Sequence, residues 1–416
     1  MIEKTGIMTL EEKQCWEYHL TLPEDSISQI LYFDVTLDAD LDEIILRINS
    51  LYEKNPSLRM SFYEENGILY QSINFFDKKR KYFLYFDLRS QENQNEFIKE
   101  YTAESEMNMD IRKIHEYSKF VVFHLEERKF RCILFMHHII CDEWSVGLLR
   151  DQFLNNCSYC IDFDIIDYAN EQREYVLNVK KDLRIYYESL FVKLNTINPC
   201  FIPLLNRKEI NLKEFENEIC KSKTTLYRIS FNVDDEITYP LMAVVYLSYC
   251  LASNILSDKK TILITAPIRN NVGNNKKLVG YLNSGIYTLV EKEKLSGDVN
   301  SKIKNLYLNI INSMRYSVAD HKFINLDGRF LRKQTSLYIN IMSKEYDVDV
   351  NDTLFKGSFT KENSYPYYPL SIYFIEKHDK IFIEYSFCDL FYSNKDIINL
   401  HNLFKTFFTS IKSNVL

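Results

Sequence analysis

Two adjacent histidines, His137 and His138, precede an aspartate, Asp142, within the segment Met136–Ser145 (MHHIICDEWS). An imidazole can take up a proton near neutral pH, and a carboxylate can orient a neighbouring group or pair with a cation. Such a set is typical of general acid–base catalysis. The alternative is structural, with His137 packed in a core, His138 in a solvated loop and Asp142 capping a helix. Spacing alone leaves both interpretations open.

The elements that hold these residues can be predicted from the surrounding pattern. Apolar runs at Lys119–Leu125 (KFVVFHL) and Phe130–Met136 (FRCILFM) flank a polar turn at Glu126–Lys129. This pattern predicts a hairpin that ends at the histidines. Asp142 then precedes an apolar-periodic stretch that continues to Phe153, which predicts a helix. The end of a hairpin and the start of a helix would therefore bring the histidines and the aspartate together.

The same segment resembles the third core motif of the condensation domains of nonribosomal peptide synthetases, written M-H-H-x-x-x-D-G-W-S. It differs from that motif only at Glu143, where the family has glycine. Similar matches cover nearly the whole chain. They are Met8–Trp16 with the opening L-x-x-x-Q-x-x-W segment, Leu51–Phe62 with the second core motif R-H-E-x-L-R-T-x-F, Asp167–Val176 and Asp182–Phe191 with the paired helices that end the first lobe, Thr261–Asn271 with the strand and turn G-T-P-V-A-G-R, and Tyr367–Phe404 with the final strands and closing helix.

One further match is incomplete. Val279–Leu289 (VGYLNSGIYTL) resembles the family segment V-G-x-F-x-N-T-x-P-L-R, but it is one residue shorter between Gly280 and Asn283 and lacks the proline and the arginine. The resemblance implies that Gly280 and Asn283 help to shape the substrate channel.

The resemblance implies an α+β fold of two lobes like chloramphenicol acetyltransferase, each a mixed β-sheet with flanking helices, in a V-shaped pseudo-dimer with a central channel. We expect the lobe with the histidine motif at residues 1–180 and the second at 181–416, joined near Asn195–Glu209, where prolines break the periodicity. A 416-residue chain with 46% hydrophobic residues can form two such cores. The apolar segment Pro240–Ile255 predicts a buried helix of the second lobe.

The resemblance also assigns roles to individual residues. His138 points into the channel, where it either accepts a proton from the acceptor amine or positions that amine, while His137 supports the turn. Asp142 pairs with Arg269 and ties the histidine loop to the second lobe. The remaining residues that support the site are Trp144 and Ser145.

Two residues inside the motif raise separate questions. Glu143 either faces away from the histidines and continues the first helical turn, where a carboxylate is favoured, or it recruits a cationic acceptor such as a diamine or a basic amino acid. Cys141 lies near a histidine and a helix start, where a thiol can become a nucleophilic thiolate. An acyl-cysteine intermediate is the less favoured hypothesis, because in the family the acyl group passes directly to the amine.

Composition excludes several classes of protein. A net charge of −7 disfavours nucleic acid as a partner, and no segment reads as a signal peptide or membrane span. Nine scattered cysteines predict a reduced, cytoplasmic chain, and the lone Cys157–Cys160 pair is weak evidence for zinc. The basic cluster Lys78–Lys81 is either a solvated face or a docking patch for an acidic carrier protein.

These observations lead to one expectation about function. We expect a free-standing condensation enzyme that forms an amide between an acyl or aminoacyl thioester and an amine. The resemblance implies that the acyl group arrives on the phosphopantetheine arm of a separate carrier protein, with no bound cofactor and no metal. Epimerization domains place the serine and tryptophan in the reverse order, and heterocyclisation domains replace the histidine pair, so both are disfavoured. An ester-forming acyltransferase and a non-catalytic module that recruits partners remain open.

Overall fold

The computed structural model describes residues 2–21, 30–107, 111, 116–155, 163–195, 222–233, 239–256, 261–269, 276–317, 331, 334–342, 352–362, 368–377 and 379–412. The expected Cys157–Cys160 pair and residues 196–209 of the expected lobe junction lie outside these ranges. The described residues form helices and β-sheets, so the expected α+β class is confirmed.

The strands are β1 Ile2–Ile7, β2 Ile30–Asp38, β3 Met60–Glu65, β4 Ile68–Asn74, β5 Phe83–Asp87, β6 Ser118–Glu126, β7 Lys129–His137, β8 Thr224–Asn232, β9 Thr261–Arg269, β10 Asn283–Glu291, β11 Leu337–Met342, β12 Lys356–Glu362, β13 Leu370–Lys377 and β14 Lys380–Cys388. The α-helices are α1 Leu10–Thr21, α2 Leu41–Lys54, α3 Gln94–Met107, α4 Glu143–Asn155, α5 Ile165–Asn195, α6 Leu241–Leu256, α7 Val299–Arg315 and α8 Asn394–Lys412.

The chain divides into two compact units. Unit 1 comprises residues 1–178 and 269–283, and unit 2 comprises residues 179–268 and 284–416. The segment 269–283, which the sequence assigns to the second lobe, therefore packs within unit 1. Backbone groups of this segment and the guanidinium of Arg269 form hydrogen bonds with residues that follow the histidines, as described below. These bonds explain why the segment packs in unit 1 although the residues on either side of it belong to unit 2.

In unit 1 the predicted hairpin is confirmed as β6 and β7, which pair antiparallel at the centre of a four-stranded sheet ordered β2-β7-β6-β5. Side chains alternate between the two faces of this sheet, as expected for strands. Cys132, Leu134 and Met136 pack into the larger core, while Ile133 and Phe135 pack into a smaller core on the opposite face. Because β7 is covered on both faces, the position of its end is firmly fixed.

Helix α4 begins where the sequence predicts, directly after Asp142. Arg47 of α2 and Asn55, which directly follows α2, hold the C-terminal end of α4 in place. Arg47 donates to the carbonyl oxygens of Phe153 at 2.9 Å and Leu154 at 2.5 Å, where the last turn of a helix leaves acceptors free. Asn55 donates to the side chain of Gln152 at 2.7 Å. The helix that follows the histidine motif is therefore held at both ends.

Unit 2 contains a seven-stranded sheet ordered β10-β9-β11-β13-β14-β8-β12, in which β11 runs parallel to β9 and β13. The prediction of a buried apolar helix near Pro240–Ile255 is confirmed by α6, most of whose side chains are buried. The predicted final strands and closing helix are confirmed as β13, β14 and α8. Inside this unit Tyr249 and Tyr385 bond through their hydroxyls at 3.0 Å.

The expectation of paired helices at the end of the first lobe is wrong. Residues 165–195 form one continuous helix, α5. This stretch contains neither proline nor glycine, so no residue in it interrupts the backbone hydrogen bonds.

Of the described helices, none is both long enough and apolar enough to cross a membrane. All five cysteines that the structure describes are buried and outside any disulfide.

Candidate active site

The histidine pair lies where β7 ends. The amide of His137 donates to the carbonyl of Tyr117 at 2.8 Å, which ties the last residue of β7 to the backbone before β6. His137 is fully buried, and its Nδ1 accepts a hydrogen bond from the amide of Ile139 at 3.1 Å. This bond caps a 3-10 turn over His138–Ile140. The turn reverses the chain and directs the second histidine away from the strand.

The ring of His138 is held by two contacts. Nδ1 lies 2.7 Å from the carbonyl oxygen of Cys141. A carbonyl can only accept, so in the neutral imidazole the proton is on Nδ1 and the lone pair is on Nε2. The ring of Tyr281 packs edge-on against the imidazole, with centroids 4.8 Å apart. The side chain is 15% exposed, so a nitrogen lone pair is presented at a fixed place with limited access to water.

Asp142 is fully buried and does not approach the imidazole of His138 in any described bond. Its Oδ1 accepts from the amide of Ser145 at 2.8 Å and from Nη1 of Arg269 at 2.7 Å. Its Oδ2 accepts from the amide of Leu282 at 3.3 Å. The first bond caps α4, and the other two fasten the segment 269–283 to it. Asp142 therefore joins the histidine turn to a distant part of the sequence.

The hydroxyl of Ser145 makes a second connection to this segment. It lies 2.7 Å from Oδ1 of Asp142 and 3.0 Å from the carbonyl of Gly280, either of which can take its proton, and it accepts from the amide of Gly280 at 3.1 Å. A Cβ on Gly280 would lie 2.7 Å from Cδ1 of Ile165, closer than real side chains approach. Glycine leaves room for this packing, and a larger residue would displace the terminal methyl of Ile165. Ser57 also donates to the carbonyl of Val279 at 2.5 Å.

Glu143, the first residue of α4, turns toward the histidine. Its Oε1 lies 3.9 Å from Nε2 of His138, and its Oε2 accepts from Nδ2 of Asn283 at 3.1 Å. The alternative in which Glu143 faces away from the histidines is therefore wrong. Its side chain is 36% exposed.

The surroundings of Trp144 and Cys141 indicate structural roles for both residues. The indole Nε1 of Trp144 donates to the carbonyl of Lys276 at 2.8 Å, which adds a further link to the segment 269–283. The thiol of Cys141 is fully buried, and burial raises its pKa well above the ordinary value. A thiolate is therefore disfavoured at Cys141, which counts against the acyl-cysteine hypothesis.

The structure brings every predicted site residue into one set of contacts within unit 1. Sequence reasoning did not single out Tyr281, which packs on the imidazole of His138. A signal was available, because Tyr281 lies beside the position where the resembled segment carries phenylalanine, but the missing residue in this segment obscured the alignment. No cluster of histidine, cysteine, aspartate or glutamate suited to a metal ion occurs among the residues described.

The condensation-domain family model matches residues 4–176. No curated protein matches the chain. Among solved structures, the epimerization domain from the third module of tyrocidine synthetase B superposes with a TM-score of 0.72 at 15% identity, covering 99% of this chain and 98% of that one. A structure of condensation domain-mediated chain release from the enacyloxin polyketide synthase gives 0.72 at 13% identity, covering 99% and 84%. The first condensation domain of the calcium-dependent antibiotic synthetase, bound to a substrate analogue, gives 0.68 at 12% identity, covering 100% and 98%.

Proposed function

We propose that this chain is an acyltransferase that forms an amide, because the condensation-domain model matches residues 4–176 and the fold resembles solved epimerization and condensation structures over 99% of the chain. The donor is an acyl or aminoacyl thioester on the phosphopantetheine arm of a carrier protein, and the acceptor is an amine. The observation that carries this proposal is the orientation of His138, whose Nδ1 is engaged by the carbonyl of Cys141 while Nε2 lies on the other side of the ring.

Amide formation needs a group that removes a proton from the attacking nitrogen. Nε2 of His138 can do this, because the tautomer fixed by Cys141 leaves its lone pair available. The amine then attacks the thioester carbonyl, and the thiol of the carrier arm leaves. The side chain of Tyr281 restricts rotation of the imidazole, so the base stays aligned through the reaction.

Asp142 acts as a positioning residue in this proposal. Its carboxylate touches Arg269, Ser145 and the backbone, and these contacts hold the start of α4 against the turn that carries His138. A carboxylate used in this way contributes to the rate by keeping the base in place.

The test is detection of product by intact mass, using an acyl-loaded carrier protein encoded beside this gene and a panel of amines and alcohols. Wild type should form an amide, and His138→Gln should reduce turnover at least 100-fold. His124 provides a matched control, because it lies on the same hairpin and bonds to Tyr85 at 2.7 Å, away from the site. His124→Gln should retain turnover.

Other outcomes identify the alternatives. A product formed only with alcohols would indicate an ester-forming enzyme of the same superfamily. Absence of turnover with every cognate carrier, together with stable carrier binding, would indicate a non-catalytic module that recruits partners.

A further inference from the structure

We propose that Glu143 and His138 together bind the acceptor nitrogen in its ammonium form, so that the acceptor is a primary amine that arrives protonated. This inference rests on the proposed acyl transfer and specifies its acceptor. It assigns Glu143 to the part of the site that contacts substrate.

The distance between the two groups suits a single bridging nitrogen. Oε1 of Glu143 lies 3.9 Å from Nε2 of His138. This separation is too long for a direct hydrogen bond, but it is less than twice the length of one. A nitrogen at about 2.9 Å from each atom therefore fits between them. Both atoms are acceptors when the imidazole is neutral and the carboxylate ionised, so the bridging group must supply at least two protons.

The position of the carboxylate is fixed by its other oxygen. Oε2 accepts from Nδ2 of Asn283 at 3.1 Å, and Asn283 belongs to the segment held by Asp142 and Ser145. The carboxylate is thus oriented before substrate arrives, which reduces the entropy lost on binding.

Two departures from the resembled motifs meet at this contact. Glu143 replaces the glycine of the histidine motif, and Asn283 ends the loop that is one residue shorter than its counterpart. The structure joins them by a hydrogen bond between their side chains. The shorter loop and the added carboxylate therefore form one local arrangement beside the base.

The proposed chemistry conserves atoms and charge. The ammonium gives one proton to Nε2, and the resulting imidazolium is stabilised by the carboxylate of Glu143. The lone pair of the neutral amine forms the C–N bond, and the C–S bond breaks with its electron pair on sulfur. The second nitrogen proton passes to the thiolate, and His138 returns its proton to solvent. An alcohol has one proton and no charge, so it would gain little from this pair of acceptors.

The test compares ethylamine, which is an ammonium at pH 7, with 2,2,2-trifluoroethylamine, which has nearly the same shape but is largely neutral. Both are offered to the acyl-loaded carrier that supports turnover by the wild type. Glu143→Gln keeps the size of the side chain and a partner for Asn283 but removes the charge. The ratio of kcat/KM for ethylamine to that for trifluoroethylamine should fall about tenfold, mainly through KM, because a hydrogen bond to a charged group is lost.

Glu96→Gln is the matched control, since Glu96 also lies in the first turn of a helix, α3, and is exposed. It should leave the ratio unchanged. An unchanged ratio in Glu143→Gln, with wild-type turnover present, would overturn this inference alone and leave the acyl transfer standing. Absence of wild-type turnover with any acceptor would overturn both proposals.

Discussion

Both units bury a network of polar side chains, but the two networks differ in charge. In unit 1 the carboxylate of Asp142 meets the guanidinium of Arg269 and the hydroxyl of Ser145. In unit 2 the hydroxyl of Tyr385 meets the hydroxyl of Tyr249 at 3.0 Å and Nδ1 of His401 at 3.1 Å. Each network links residues that are far apart in the sequence.

The environment keeps the unit 2 network neutral. Burial lowers the pKa of His401 to about 4 and raises the pKa of Tyr385. Neutral groups of this kind can be satisfied by each other inside a core. The unit 1 network instead uses a full ion pair and several backbone groups of an irregular segment. The comparison indicates that charge is used where a loop must be fixed in one place, and neutral bonds where regular elements already fix the packing.

The largest effect is expected from Asp142→Ala. This change leaves the guanidinium of Arg269 buried without its carboxylate and removes the cap of α4. We expect a loss of about 3–5 kcal/mol in the free energy of unfolding, together with lower soluble yield and lower activity. Urea unfolding measures the loss.

The partly exposed pair of Asp34 and Arg131 serves as control, with Oδ2 of Asp34 2.5 Å from Nη2 of Arg131. Asp34→Ala should change stability by about 1 kcal/mol or less. An Asp142→Ala protein as stable as Asp34→Ala would contradict this expectation, because the buried ion pair would then contribute no more than the partly exposed one.

A second carboxyl of unit 1 tests pH dependence. Glu12 is fully buried beside Thr9, and burial raises its pKa from 4.5 to about 8. The folded protein therefore keeps a proton that the unfolded chain releases above about pH 4.5. The stability contributed by this group is largest below pH 4.5 and falls as the pH rises toward 8, by roughly 2 kcal/mol between pH 5 and pH 7.

The pH dependence that His401 of unit 2 contributes to stability has the opposite sign. Its lowered pKa means that the unfolded chain takes up a proton first, so its contribution to stability is lost as the pH falls from about 6.5 to about 4. Hydrogen exchange should show α1 losing protection toward pH 8 and α8 losing protection toward pH 4. Glu12→Gln should flatten the first trend and leave the second. If α1 still loses protection toward pH 8 in the Glu12→Gln protein, Glu12 is not the source of that loss.

A smaller effect is expected from Tyr385→Phe. The change removes the hydroxyl that contacts Tyr249 and His401, and leaves both of those groups with one bond fewer in a buried site. We expect a loss of about 1–3 kcal/mol in stability and no change in acyl transfer. A large loss of activity at unchanged stability would show that the unit 2 network does more than hold its own core together.

The smallest effect is expected at the glycines of unit 1. Gly280→Ala would bring a Cβ to 2.7 Å from the terminal methyl of Ile165, which can shift, so we expect a loss of about 1 kcal/mol. Ile165→Val should relieve part of that loss in the double variant. Gly147→Ala is the control, because no atom lies within 4 Å of its added Cβ and it lies within α4. It should stabilise the protein by about 0.5–1 kcal/mol in thermal unfolding.

Local pattern was sufficient for the elements around the site. The alternation of apolar residues predicted β6 and β7, and Asp142 predicted the start of α4, because burial on a sheet and capping of a helix depend on neighbours in the sequence. The resemblance predicted that Asp142 would face Arg269, and the two side chains lie 2.7 Å apart.

Other features could not be predicted from sequence. The bonds from Ser145 to Gly280 and from Leu282 to Asp142 use backbone groups, which every residue has. The residue types in the sequence therefore do not predict these bonds. The orientation of Glu143 depends on Asn283, which is distant in sequence and comes after a shortened loop. Long-range contacts of this kind are decided by the tertiary fold, where local propensity has little influence.

The placement of residues 269–283 in unit 1 has a consequence for synthesis of the protein. Asp142 and Arg269 are separated by 127 positions. At ordinary rates of translation the ribosome needs roughly 10 s to cover that interval. During this time a nascent chain holds β6 and β7 without the segment that secures the histidine turn. We therefore expect the histidine turn to be the last part of unit 1 to reach its native state.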